Sequence, residues 1–194
     1  MVKKITIFAF SLLCFASFSV AQDSTYIGDL LDDQESVFMC LKVDGIYGES
    51  FVDGHEDEID VLTWEWGVNQ SGSMHVGGGG GSGKADVQDL IITKYVDKAS
   101  PWLLLKCLDG SHIKEAILTI GKSGDDNFEY LVITMGPVLI TSVTSGGSQG
   151  YGRATERVFL NFAKVKFSYT PQNSEGGSDA AIDITWNIEK NVQE

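Results

Sequence analysis

The chain has 194 residues, 43% of them hydrophobic, and a formal net charge of -13 at pH 7. This length and composition predict a single globular domain. Because the charge surplus is acidic, we expect neither nucleic acid nor an anionic membrane to be a partner.

The first 21 residues have the features of a secretory signal peptide. Lys3 and Lys4 provide the positive start, residues 5–20 are almost entirely apolar, and Ser19 and Ala21 are the small residues that signal peptidase reads. Cleavage is expected after Ala21, which predicts a secreted, soluble mature protein.

Two other interpretations of this segment are weaker. A lipoprotein would use Cys14, but Leu13 stands before it where a small residue is expected. A retained membrane anchor needs about 18 or more apolar residues, and this run is shorter and contains serines.

A polar, acidic stretch at 22–35 follows, interpreted as a loose extension before a domain at 36–194. The domain alternates apolar and polar residues in short runs, the pattern of half-buried strands. Strands are predicted at 37–43, 59–67, 87–96, 116–120, 128–135, 138–143, 158–169 and 182–188. Gly136-Pro137 separates two of them, and a bulge or bend is expected there because proline cannot donate a ladder hydrogen bond.

A single helix is predicted at 100–110, where Ser100 is the expected N-cap and Pro101 the first helical residue. About eight strands with one helix favour a mainly β fold, an antiparallel β-barrel or a close pair of sheets. The helix is almost entirely apolar, so it is expected to cover the strand at 87–96.

The most unusual segment is the long loop between the second and third predicted strands. It contains five successive glycines, Gly77 to Gly81, which gain no packing of their own and are costly to order unless an outside surface holds them. A partner is therefore expected. Ser73, Met74 and His75 are the predicted contact residues, with Lys84 at the end of the loop.

The same loop matches G-x-x-x-x-G-K, the phosphate-binding pattern, through Gly78, Gly83 and Lys84. That pattern needs Ser or Thr next and a helix after it. Ala85 and a strand follow instead, which argues against nucleotide binding.

No catalytic site or metal site emerges from residue spacing. The three histidines, His55, His75 and His112, have no helical partner, and Cys40 and Cys107 form no close-spaced pair. The acidic run at 53–60 lacks the EF-hand spacing for calcium. No cofactor is expected. Cys40 and Cys107 are interpreted as two buried thiols. The alternative is that they pair as a disulfide in an oxidising compartment.

The basic residues are few, and there are two interpretations of them. Each could contact an acidic patch on a neighbouring copy, or each could be ordinary solvated surface. For any single residue, ordinary surface is the better interpretation. They are Lys84, Lys94, Lys98, Lys106, Lys122, Arg153, Arg157, Lys164 and Lys166.

Several segments together resemble the haemolysin-coregulated protein (Hcp) family, the tube-forming subunits of bacterial type VI secretion systems. The most specific is EIDVLTWEWGVNQSGSMHVGGGGGSGK. The others are DVQDL, TKYVDKASP, EYLVIT, LNFAKV and the closing WNIEKN, in order and without large gaps over 36–191.

This resemblance implies a β-barrel with one flanking helix and a structural role without catalysis. Six copies form a ring, rings stack into a tube that carries effectors, a VgrG spike protein caps its tip and a contractile sheath surrounds it. The signal-like start departs from the family, whose members assemble in the cytoplasm. It leaves a second hypothesis, an exported Hcp-like binding protein that forms no tube.

Overall fold

A long antiparallel hairpin forms the centre of the fold in this computed structural model, which describes residues 36–70, 84–124, 127–173 and 177–194 within one compact unit. Its strands are β8 (Phe128–Ser148) and β9 (Tyr151–Tyr169). The others are β1 (Val37–Val43), β2 (Ile59–Asp60), β3 (Thr63–Glu65), β4 (Val68–Asn69), β5 (Asp86–Val87), β6 (Leu90–Tyr95), β7 (Ala116–Lys122), β10 (Ile182–Asn187) and β11 (Val192–Gln193). Within the described ranges there is one α-helix, α1, which spans Ser100–Asp109.

Strand β9 organises the sheet because both of its edges are occupied. One edge pairs with β8. Along the other, residues 155–160 pair with β6 and residues 164–169 pair with β10. Strand β6, which precedes the hairpin in the sequence, and strand β10, which follows it, therefore share one edge of β9.

The strands follow each other round the core in the order β1, β7, β8, β9 and β6. Segment 59–65 spans the gap between β1 and β6, because β2 pairs with β1 and β3 pairs with β6. Between them, the amide of Val61 donates to the carbonyl of Met39, and that of Leu62 to Thr93. The ladder is interrupted at these two residues, so the sheet is not continuously closed. In the part of the chain that the structure describes, the predicted mainly β antiparallel fold with one helix is confirmed.

The core lies inside this circuit and is built from the inward residues of each strand. Its fully buried members from the strands include Leu41, Ile59, Leu90, Ile92, Leu118, Ile133, Met135, Ile140 and Leu160, and Leu103 of α1 is buried with them. The inward faces of the strands follow the period of two that the sequence shows.

Two local predictions differ from the structure. Residues 128–148 form one strand through Gly136-Pro137, whose peptide bond is cis, and the register shifts later, between Ile140 and Ser142.

Helix α1 is capped by Ala99 without a side-chain hydrogen bond, and it packs mainly against β8 rather than β6. Ser100 is not the cap because its hydroxyl donates to Glu156, at 2.7 Å.

The side chain of Lys94 is completely buried, although it was a candidate surface contact. That interpretation is wrong because the ammonium finds four oxygens inside its own chain. It donates to Asp97 at 2.6 Å, to the carbonyl of Tyr95 at 2.7 Å, to Glu156 at 3.0 Å and to Ser100 at 3.2 Å. The network joins β6, β9 and the start of α1.

Replacing Lys94 with Met should lower the free energy of unfolding by about 3–5 kcal/mol, because the carboxylates of Asp97 and Glu156 would stay buried without their cation. The free energy of unfolding is measured by urea denaturation, monitored by tryptophan fluorescence. The matched control is Lys98→Ala, which removes an exposed pair with Asp57 and should cost about 0–1 kcal/mol. Equal losses in the two variants would contradict the importance of the buried network.

Candidate assembly surface

The long loop starts from a two-stranded ribbon that is separate from the main sheet. Strands β4 and β5 pair Val68 with Val87 and Asn69 with Asp86. Two short strands cannot bury much surface, so the ribbon depends on contacts at its base.

Trp66 fixes the base of the ribbon. Its indole Nε1 donates to the carbonyl of Gln88 at 3.0 Å, and its ring lies 5.9 Å from that of Phe162 in β9. The amide of Gln88 donates to the carbonyl of Gly67 in return. The ribbon, and the loop that it carries, are thereby tied to the main sheet.

Of the four predicted contact residues, Ser73, Met74 and His75 lie outside the described residues. Lys84, where the described chain resumes, is exposed. It forms no ion pair with any residue in the described ranges.

Beside the ribbon lies an open groove whose walls are almost entirely apolar. One wall comes from the ribbon and its flanks, and the other from β9 and β10. We call it the ribbon groove; its lining residues are Trp66, Val68, Ala85, Val87, Val165, Phe167, Ile184 and Trp186. Val68 and Ile184 keep about half of their surface exposed, at 51% and 55%. Such a patch is typical of an interaction site.

Helix α1 presents a second apolar surface. Only Ser100 and Leu103 of the helix are buried. The side chains of Trp102, Leu104, Leu105 and Leu108 are 46–76% exposed. We call these four residues the helix face. It shares no element with the ribbon groove, so the molecule carries two separate apolar surfaces.

Most of the basic side chains are engaged within the chain. Exposed ion pairs join Lys98 to Asp57, Arg157 to Glu65, Lys164 to Glu194 and Lys166 to Asp183, at 2.6–2.9 Å. The Lys166 bond and a hydrogen bond from Ser168 lower the pKa of Asp183. The two apolar surfaces, rather than free cations, are therefore the main candidates for contact with another copy.

The two cysteines of the domain are both free. Cys40 is buried in β1. Burial raises the pKa of its thiol to about 11, although the hydrogen bond with Ser50 acts to lower that pKa. Cys107 is half-buried on α1. In the described part of the chain, no helix is long and apolar enough to cross a membrane.

Comparison with known proteins identifies this architecture. Residues 40–169 match the family model described as type VI secretion system effector, Hcp. Protein hcp1 of Pseudomonas aeruginosa is 51% identical over 160 residues, which cover 81% of this chain and 99% of that protein.

Solved structures agree with that assignment. A type six secretion system protein has a TM-score of 0.78 at 27% identity, covering 82% of this chain and all of that one. Hcp1 from Salmonella typhimurium has a TM-score of 0.67 at 33% identity, covering 82% and 99%. The chain therefore belongs to the Hcp family of the type VI secretion system.

Proposed function

We propose that six copies of this chain close into a ring, that the rings stack through the long loop, and that the resulting tube carries effectors in its lumen. The proposal assigns the chain a structural role with no catalysis of its own. Membership in the Hcp family supports self-assembly into rings. A VgrG spike at the tip and a contractile sheath outside are the other expected partners.

The observation that best supports a ring is the presence of two different apolar surfaces on one subunit. Closed rings are built from heterologous contacts, in which one patch meets a different patch of the next copy. The ribbon groove and the helix face are such a pair of patches, because they lie on different elements and both expose large side chains. Burying them against each other would also remove apolar area from water.

Stacking of rings needs an element that projects from the ring, and the loop at 71–84 is the candidate. The ribbon and Trp66 anchor both ends of this loop on the main sheet. Ser73, Met74 and His75 supply contacts to the next ring, and Lys84 supplies a cation for its acidic surface. The glycines between them leave room for close approach of two backbones.

A second candidate function follows from the N-terminal segment. An exported chain would reach its partner outside the cytoplasm and would bind it as a single Hcp-like domain, without tubes. The apolar segment at 5–20 and the small residues at 19–21 favour it.

Replacing Ile184 with Asp should weaken self-association by at least about tenfold, because a charge would have to be buried in an apolar contact. The side chain is 55% exposed, so the subunit should stay folded. Analytical ultracentrifugation across a concentration series measures the change. Phe51→Asp is the matched control, since Phe51 is 94% exposed and outside both surfaces. Unchanged association in the Ile184 variant would exclude the ribbon groove as an interface.

Deleting Gly77 to Gly81 should leave the domain folded and weaken ring stacking, since these residues lie in the loop beyond the ribbon. Circular dichroism checks the fold, and negative-stain electron microscopy compares tube lengths with those of the intact chain. Long tubes from the deleted variant would count against the loop as the stacking element.

The N-terminus of protein isolated from cells should be Gln22, as the signal-like segment predicts. N-terminal sequencing of separate cytoplasmic, periplasmic and medium fractions tests this. Rings from the processed chain would support an exported tube subunit, whereas a processed monomer would favour the binding protein. An unprocessed cytoplasmic chain would refute the signal peptide and leave the tube function intact.

A further inference from the structure

Three side chains from adjacent segments of the chain meet beside β1. Cys40 lies in that strand, and His55 and Glu58 lie in the segment that leads from β1 to β2. The thiol sulfur, a ring nitrogen of His55 and a carboxylate oxygen of Glu58 all lie within 4.8 Å of one another. Cys40 is fully buried and His55 is 7% exposed. We call these residues the Cys-His-Glu cluster.

Backbone hydrogen bonds within the segment between β1 and β2 hold the chain around the cluster in place. The amides of Gly48 and Ser50 donate to the carbonyls of Asp57 and Glu58, and the amide of Asp57 donates to the carbonyl of Ser50. A Cβ atom at Gly48 would collide with the carbonyl of Glu58. The positions of His55 and Glu58 relative to β1 are therefore set by the chain itself.

The imidazole of His55 is oriented by a carboxylate on each side. Its Nδ1 lies 2.9 Å from Oε2 of Glu58, and its Nε2 lies 3.4 Å from Oε1 of Glu129 in β8. Histidines that bind metals commonly present their second nitrogen to a carboxylate in this way, which fixes the orientation of the ring. The ring of Phe38, 5.3 Å away, packs beside it.

We propose that the Cys-His-Glu cluster binds one zinc ion through the sulfur of Cys40, Nδ1 of His55 and the carboxylate of Glu58, with water as the fourth ligand and Glu129 behind His55. A sulfur, a nitrogen and an oxygen ligand suit zinc. Zinc bond lengths place ligand atoms roughly 3–4 Å apart, so the side chains need only small adjustments. Binding would release the thiol proton of Cys40 to solvent and replace its weak contact with Ser50, at 3.6 Å.

Such an ion would join β1 to the segment between β1 and β2. The site is independent of the apolar surfaces and of the proposed tube. It would stabilise the folded chain by an amount that grows with the logarithm of the free ion concentration above the Kd, because a preformed cluster exists only in the folded state.

Binding of cobalt(II) tests the proposal, because cobalt(II) can replace zinc in such a site. A cobalt–thiolate bond gives a charge-transfer absorption band in the near ultraviolet. Purified protein, reduced and stripped with a chelator, should bind one cobalt per chain with this band and lose it when zinc is added. Cys40→Ser should abolish the band. Cys107→Ser is the matched control, since Cys107 lies on α1 outside the cluster, and it should bind like the parent.

Glu58→Gln provides a second variant if Cys40→Ser does not fold. It keeps the thiolate and should weaken cobalt affinity by at least about tenfold, the range found when groups around a metal are removed. Zinc should also raise the Tm of the parent and of Cys107→Ser, but not that of a folded Cys40→Ser. The proposal is overturned if the parent shows no thiolate band, if Cys107→Ser loses it, or if Glu58→Gln binds cobalt as tightly as the parent.

Discussion

The buried ammonium of Lys94 is the contact on which the arrangement of the whole subunit depends. It is completely desolvated and lies 2.6 Å from Asp97 and 3.0 Å from Glu156, so its charge is compensated only in one register of β6 against β9. A slip of one residue would turn Lys94 outward and bury Thr93 in its place. The carboxylates would then be buried without a partner, which is strongly unfavourable.

Both apolar surfaces are positioned by that register. The ribbon strand β5 ends at Val87, shortly before β6 begins at Leu90, so fixing β6 against β9 also brings the ribbon beside Phe167 and forms the groove. At the other end of β6, Asp97 and Ser100 lead directly into α1, which presents the helix face. One buried cation thus sets the geometry between the two surfaces, and in a ring that geometry sets the angle between neighbours.

Local patterns could be predicted from the sequence, whereas contacts between distant segments could not. The alternation in 37–43 and 182–187 and the Pro101 and Gly110 boundaries of the helix are properties of neighbouring residues, and the structure contains these elements. The burial of Lys94 depends on Glu156, and the Cys-His-Glu cluster depends on a segment that folds back onto Cys40. Neither partner is indicated by spacing. The ribbon groove was missed because Val68 and Ile184 meet only in the folded chain.

The acidic charge and the exposed apolar surfaces act in opposite directions during assembly. A net charge of -13 on every copy produces repulsion between subunits, and much of the basic surface is already paired inside the chain. In the proposed ring, contact between the ribbon groove and the helix face supplies an attraction that screening does not weaken, while repulsion falls as ionic strength rises. Higher salt should consequently favour association. A ring subunit covers each apolar surface with the other, whereas a binding protein that forms no tube would depend on its partner to cover them.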